Sequence, residues 1–205
     1  MVMNSKFEEL EREIKACTKC RLHQFRKNAV PGEGNLHAEI MFIGEAPGYN
    51  EDVQGKPFVG AAGKFLTELI EKILGVPRSS VYITNVVKCR PPENRDPYPD
   101  EIETCSPYLD KQIMLIRPKI IVTLGKHSTN YILSKANVKI KSITSVRGQL
   151  FNVTILGISL NVVPTLHPAA ALYNPQLKSY IEADFRKIKE LIHKDVGKKG
   201  LESYF

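Results

Sequence analysis

Cys17, Cys20, Cys89 and Cys105 are all the cysteines of this chain, spaced C-x2-C, then 68 residues, then C-x15-C. A C-x-x-C pair can be a redox dithiol, half of a zinc site or half of an iron–sulfur site. Four thiolates complete a tetrahedral set for zinc and equally the ligand set of a [4Fe–4S] cluster, and spacing does not choose between them. A redox dithiol on Cys17 and Cys20 leaves Cys89 and Cys105 without a use. Four further stretches hold groups able to bind a small polar ring. "TLHPAAAL" puts His167 before a proline, "GEAPG" (44–48) exposes backbone N–H groups, "GKPFVG" sets Phe58 between Gly55 and Gly60, and "TNVVKC" sets Asn85 in an apolar run. A backbone cradle suits an anion or a polar heterocycle, and a loop aromatic can stack on a base. A buried amide must find partners, and it offers both the donor and the acceptor that a Watson–Crick edge requires. Each stretch also has an ordinary structural use, as a turn, a loop anchor or a core bond. Together they describe a base-sized pocket.

The elements that must position these residues alternate in type. Residues 5–16 have helical periodicity, with Phe7, Leu10 and Ile14 on one face. "EIMFIG" (39–44) is expected as a buried strand, followed by an irregular Gly/Pro-rich loop and a helix over 64–74. "VYITNVV" (81–87) is strand-like, and "KCRPPENRDPYP" (88–99) has too many prolines for regular structure. A helix over 100–116 contains Pro107, which is expected to kink it or mark its start. "KIIVTLG" (119–125), a helix from His127 to Ser134, strands over 148–156 and 159–166, and a last helix from about 174 to 193 complete the pattern. Such alternation predicts a three-layer α/β/α domain with a mostly parallel central sheet. In that architecture ligands bind beyond the carboxyl ends of strands, which is where loops 44–60, 88–99 and 165–173 fall.

With 205 residues, 42% of them hydrophobic, the chain can bury a core without disulfide staples. A single domain over 1–196 and a flexible tail over 197–205 are expected. The N-terminus lacks a signal-peptide apolar core, and no apolar run approaches a membrane span. A cytoplasmic location is expected. Persistent disulfides are uncommon in the cytosol, which turns the cysteines toward metal. The net charge of +7 is compatible with nucleic acid, anionic membrane or acidic partners.

"CTKCRLH", "PGEGN", "FIGEAPGYNEDVQGKPFVGAAG", "YITNVVKCRPPENRDP", Cys105 and "PTLHPAA" recur here in an order and spacing that resemble the family 4 uracil-DNA glycosylases. This is the iron–sulfur branch of the uracil-DNA glycosylase superfamily, found in archaeal and bacterial thermophiles. The resemblance implies a monomer, nucleoid-associated when on DNA, with one [4Fe–4S] cluster per chain on Cys17, Cys20, Cys89 and Cys105. It implies hydrolysis of the N-glycosidic bond of deoxyuridine in single- or double-stranded DNA, after the base is flipped out. It places Phe58 under the flipped base, Asn85 on its edge and His167 near its O2, with Glu45, Ala46 and Pro47 lining the pocket and Glu51 beside C5 to exclude thymine. Members of the superfamily with a "GQDPYH" motif carry an Asp and a Tyr where this chain has Ala46 and Gly48. Ala46 cannot be a general base, so either Glu45 positions water, or main chain holds it while leaving-group stabilisation does the work.

Lys88, Arg90 and Arg95 are expected phosphate contacts, and Leu172 is expected to enter the helix where uracil left. In the tail, Leu201, Tyr204 and Phe205 have the spacing of a peptide that binds a PCNA-type sliding clamp, with Lys198 where the usual leading Gln stands. The competing reading is a non-enzymatic nucleic-acid-binding module with a four-cysteine metal site. Such a module has no need for Phe58, Asn85 and His167 together.

Overall fold

The computed structural model describes residues 2–196. Leu201, Tyr204 and Phe205 therefore lie outside the described residues. Six strands form one sheet in the order β1-β3-β2-β4-β6-β5. These are β1 (Glu33–Gly34), β2 (Ile40–Gly44), β3 (Tyr82–Asn85), β4 (Ile120–Leu124), β5 (Phe151–Ile155) and β6 (Ile158–Thr165). The four central strands are parallel, and β1 and β5 add antiparallel edges.

Alternation along β2 shows how the layers form. Met41 and Ile43 pack on one face with α1 (Val2–Ala16), α4 (Pro99–Ile116) and α5 (Lys126–Ser134), through Phe7, Leu10, Ile14, Leu109, Ile113, Ile132 and Leu133. Ile40 and Phe42 point to the other face. There they meet Leu66 of α3 (Ala61–Glu68), Leu69 and Ile70 of the π-helical extension Leu69–Leu74, and Ile181, Phe185 and Ile188 of α8 (Gln176–Val196). Strands buried on both faces read as continuous apolar runs, and two separate cores on one sheet make the expected three-layer α/β/α architecture. Among the described residues no helix is long and apolar enough to cross a membrane.

Three local expectations change. The stretch after β2 is not all irregular: α2 (Tyr49–Gln54) lies within it, between Gly48 and Gly55, and Gly55 ends the helix at φ +68°. Gly/Pro density concealed this helix. Strand β3 stops at Asn85, although Val86 and Val87 still donate to the carbonyls of Gly44 and Glu45 at and just beyond the end of β2. Helix α4 begins at Pro99 and runs through Pro107. Pro107 is exposed, so the carbonyl it leaves unbonded meets water rather than the core. Two short helices, α6 (Ile143–Val146) and α7 (Ala170–Tyr173), complete the described α-helices, and 3-10 turns at Arg21–Gln24, Arg78–Ser80 and Pro92–Asn94 lie between elements.

Candidate active site

The carboxyl ends of β2, β3 and β6 open onto one cavity of about 320 Å³, at the lower end of ordinary small-ligand pockets. Glu45, Ala46, Pro47, Glu51, Phe58, Asn85, Arg95 and His167 all line it, so residues spread over some 120 positions converge as expected. Beyond β2 the chain turns to the α3 face of the sheet, and beyond β4 to the α5 face. The cavity thus sits at a topological switch point of the sheet.

Asn85 ends β3 and is 1% exposed, yet its Oδ1 has no hydrogen-bond partner. Gly44, its neighbour in β2, makes room for it. A Cβ there would fall 2.3 Å from Asn85 Oδ1 and 2.7 Å from the Phe58 ring. Phe58 is held in the left-handed region at φ +50°. Its loop is clamped by Glu51, whose Oε1 accepts from the N–H groups of Val59 and Gly60 at 2.8 and 2.9 Å. The carbonyl of Pro57 accepts from Arg78 at 2.8 Å. Gly63 is required because a Cβ there would strike the Phe58 carbonyl.

His167 follows β6, and its ring lies 5.6 Å from that of Phe58. The Ala169 N–H donates to His167 Nδ1 at 3.2 Å, which leaves the proton of the neutral ring on Nε2. Burial pushes the His167 pKa down to about 4, with Glu51 opposing it, so the ring is neutral at physiological pH. Its backbone is anchored from behind. Thr165 donates to buried Asp184 of α8 at 2.7 Å, and Asp184 is paired with Arg147. Glu45 is half-buried, and burial raises its carboxyl above the usual range; His127 opposes the rise and Asp96 reinforces it.

The Pro-rich loop forms the outer wall. Arg95 grips Glu101 with two hydrogen bonds of 2.8 and 2.7 Å and stacks 3.7 Å over the Tyr98 ring. Glu101 also accepts from the Tyr98 N–H at 2.8 Å and so caps α4. Arg90 bonds Asn94 at 2.7 Å and lies over the Tyr49 ring. Leu172 in α7 is half exposed, and the adjacent Tyr173 is 89% exposed.

Lys88 corrects an expectation. It is not a surface phosphate contact but is 1% exposed. Its Nζ donates to Thr84 Oγ1, the Asn85 carbonyl and Gln112 Oε1 at 2.6, 2.7 and 2.7 Å. It sits where β3 passes into the cysteine-bearing loop, and a buried ammonium must satisfy its three donors internally.

The four cysteines border one small cavity behind that loop. All are free thiols, with Cys89 and Cys105 buried and Cys17 and Cys20 half-buried. Arg26 donates to Cys89 Sγ at 2.9 Å, and the Lys88 N–H donates to Cys105 Sγ at 3.2 Å. Burial pushes the Cys105 thiol up to about 12 and raises Cys20 and Cys89 as well. The segment after Cys20 is tied in turn to the active cavity. The Lys27 and Asn28 N–H groups donate to buried Asp52 of α2. Nothing in the sequence marks out Asp52, Glu101, Arg26 or His127. Charged residues abound in a chain that is 25% charged, and their partners lie far away along it.

The profile of the Uracil DNA glycosylase superfamily matches residues 31–190. The chain is 62% identical over 180 residues to the type-4 uracil-DNA glycosylase of Saccharolobus solfataricus, covering 88% of this chain and 83% of that protein. It is 50% identical over 187 residues to the type-4 enzyme of Archaeoglobus fulgidus, covering 91% and 94%. It is 44% identical over 190 residues to that of Thermotoga maritima, covering 92% and 95%. With matched residues that include both the strand-end cavity and two of the four cysteines, the chain belongs to the uracil-DNA glycosylase superfamily.

Proposed function

We propose that this protein is a DNA-repair glycosylase of the type-4 class, hydrolysing the N-glycosidic bond of deoxyuridine and leaving an abasic site. The observation that carries the reading is the unpaired, buried Asn85 Oδ1 in a cavity shared with Phe58 and His167. An orphaned buried acceptor costs about 1–3 kcal/mol, and the N3–H of a flipped uracil would satisfy it. Phe58 would lie against the flipped base. His167, neutral with its proton on Nε2, would donate to uracil O2 as negative charge develops there. One well-placed donor of this kind stabilises the transition state by about 3 kcal/mol. Main chain at Ala46 and the carboxylate of Glu45 would hold the attacking water and face the developing positive charge on the sugar. Glu51 clamps the Phe58 loop with one oxygen, and its position on the cavity wall supports a second role in excluding the thymine methyl.

Cys17, Cys20, Cys89 and Cys105 would hold a [4Fe–4S] cluster. Four thiols bordering one small cavity supply the ligand set that such a cluster requires. The N–H···S bonds from Arg26 and Lys88 are of the kind that steady metal thiolates. The cluster would supply a rigid cross-link between α1, the Pro-rich loop and α4, leaving the hydrolysis to the strand-end residues.

On the DNA side, Arg95 lines the cavity, and Arg90 and Leu172 neighbour its lining residues Pro91 and Ala169 in the chain; Arg90 and Arg95 would meet phosphates, and Leu172 would fill the gap left by the flipped base. A PCNA-type clamp is proposed as the partner of Leu201, Tyr204 and Phe205. The binding-module alternative is not favoured, since it leaves the Asn85, Phe58 and His167 constellation without a purpose.

The test is uracil release from an oligonucleotide with one deoxyuridine, in single-stranded, U·G and U·A contexts. Wild type should release uracil, and His167→Ala should be slower by about a hundredfold or more, as loss of one transition-state donor dictates. No release by a folded, iron-loaded wild type would overturn the reading.

A further inference from the structure

His127 makes a contact at the cavity mouth that the reaction described above does not use. From the first turn of α5 its Nε2 lies 3.1 Å from Asp96 Oδ2 on the Pro-rich loop and 3.9 Å from Glu45 Oε2 after β2. The ligand-type atoms of all three lie within 4.8 Å of one another. The side chains are graded in exposure: Glu45 25%, His127 35%, Asp96 73%. Glu45 is thus the sheltered carboxylate, Asp96 the solvated one, and the ring bridges them.

Two carboxylates this close repel, and the more sheltered one is the first to take up a proton. A protonated Glu45 could neither take a proton from water nor offset positive charge on the sugar. The surroundings offer few other cations to prevent this. Arg95 has both terminal nitrogens on Glu101. Lys126 precedes His127 on α5, while Glu51 and the neutral His167 face the cavity from its other walls. Burial and Asp96 push the Glu45 carboxyl up, and His127 pulls it back.

We propose that His127 is a positioning residue of the glycosylase reaction: held by Asp96, its ring keeps the Glu45 carboxylate ionised and turned to the cavity. The proposal rests on the reading that Glu45 serves uracil excision. It gives the α5 end, the Pro-rich loop and the loop after β2 one shared electrostatic contact beside the reacting bond.

The experiment is single-turnover uracil release from a single-stranded oligonucleotide, followed against pH for the iron-loaded protein, with cluster absorbance checked at each pH. His127→Gln keeps a donor for Asp96 without charge, and His127→Lys keeps the charge. In His127→Ala and His127→Gln the acid limb of the rate profile should move up by about one pH unit, the effect of losing an opposite charge at this range. His127→Lys should restore it. An unmoved limb in the Ala and Gln variants, or restoration by Gln, would make His127 a structural bridge and overturn the proposal. Glu45→Gln, run in parallel, should lose the limb. If it keeps both rate and limb, the proposal and the Glu45 assignment fall together while uracil excision by wild type still stands.

Discussion

Asn85 Oδ1 is a buried acceptor with no partner among the protein's own groups. Native structures rarely tolerate this, and such groups mark places where local stability is given up for binding. Truncation should therefore separate function from folding. Asn85→Ala removes no hydrogen bond from that oxygen, so its melting temperature should fall less than a buried polar truncation ordinarily costs. Its rate of uracil release should drop by about tenfold to a hundredfold, as expected when a site loses a paired polar contact to its ligand. A calorimetric scan beside single-turnover kinetics checks both. A large loss of stability with little loss of rate would make Asn85 an ordinary core residue.

Strand β2 and the loop after it carry a tight steric demand at the cavity. Gly44 is the point at which the Asn85 amide and the Phe58 ring approach the backbone, both within 3 Å of where a Cβ would stand. Neither neighbour can retreat easily: Asn85 is in β3, and Phe58 is tethered through Val59 and Gly60 to Glu51. Gly44→Ala should therefore close the cavity, abolishing uracil release while leaving far-ultraviolet circular dichroism that of a folded α/β protein. Retention of wild-type rate would show that the cavity can be opened from another side. The same loop shows how element and residue depend on each other. Helix α2 exists to present Glu51 inward and Asp52 to the Lys27–Asn28 segment, and so it joins the cavity to the cysteine-bearing end of the chain.

At the scale of the whole molecule, two cores on opposite faces of one sheet hold the strand ends rigid. The cysteines then gather α1, the Pro-rich loop and α4 at one edge. A chain this size does not need a cluster for its core, but the Pro-rich loop has little regular hydrogen bonding to order it. Cys105→Ala should lose visible iron–sulfur absorbance and lower the melting temperature. It should also weaken DNA binding and uracil release through a loosened outer wall; full activity without iron would rule out this role for the four thiols. Deletion of residues 198–205 should abolish binding to a PCNA-type clamp, measured by calorimetry, and leave uracil release unchanged.

By itself the sequence determined the parallel sheet, because buried strands flanked by helices leave continuous apolar runs and a switch to helical period. It also named Phe58, Asn85 and His167, which the fold brings to one cavity, and Cys17, Cys20, Cys89 and Cys105, which border another. Tertiary structure alone decided which charged residues serve. Lys88 reads as a phosphate contact until it is found buried between Thr84 and Gln112. His127 reads as an ordinary helix residue until folding sets it between Glu45 and Asp96. Apolar burial repeats with the local period of the chain, whereas an ion pair joins residues that only the folded sheet brings together.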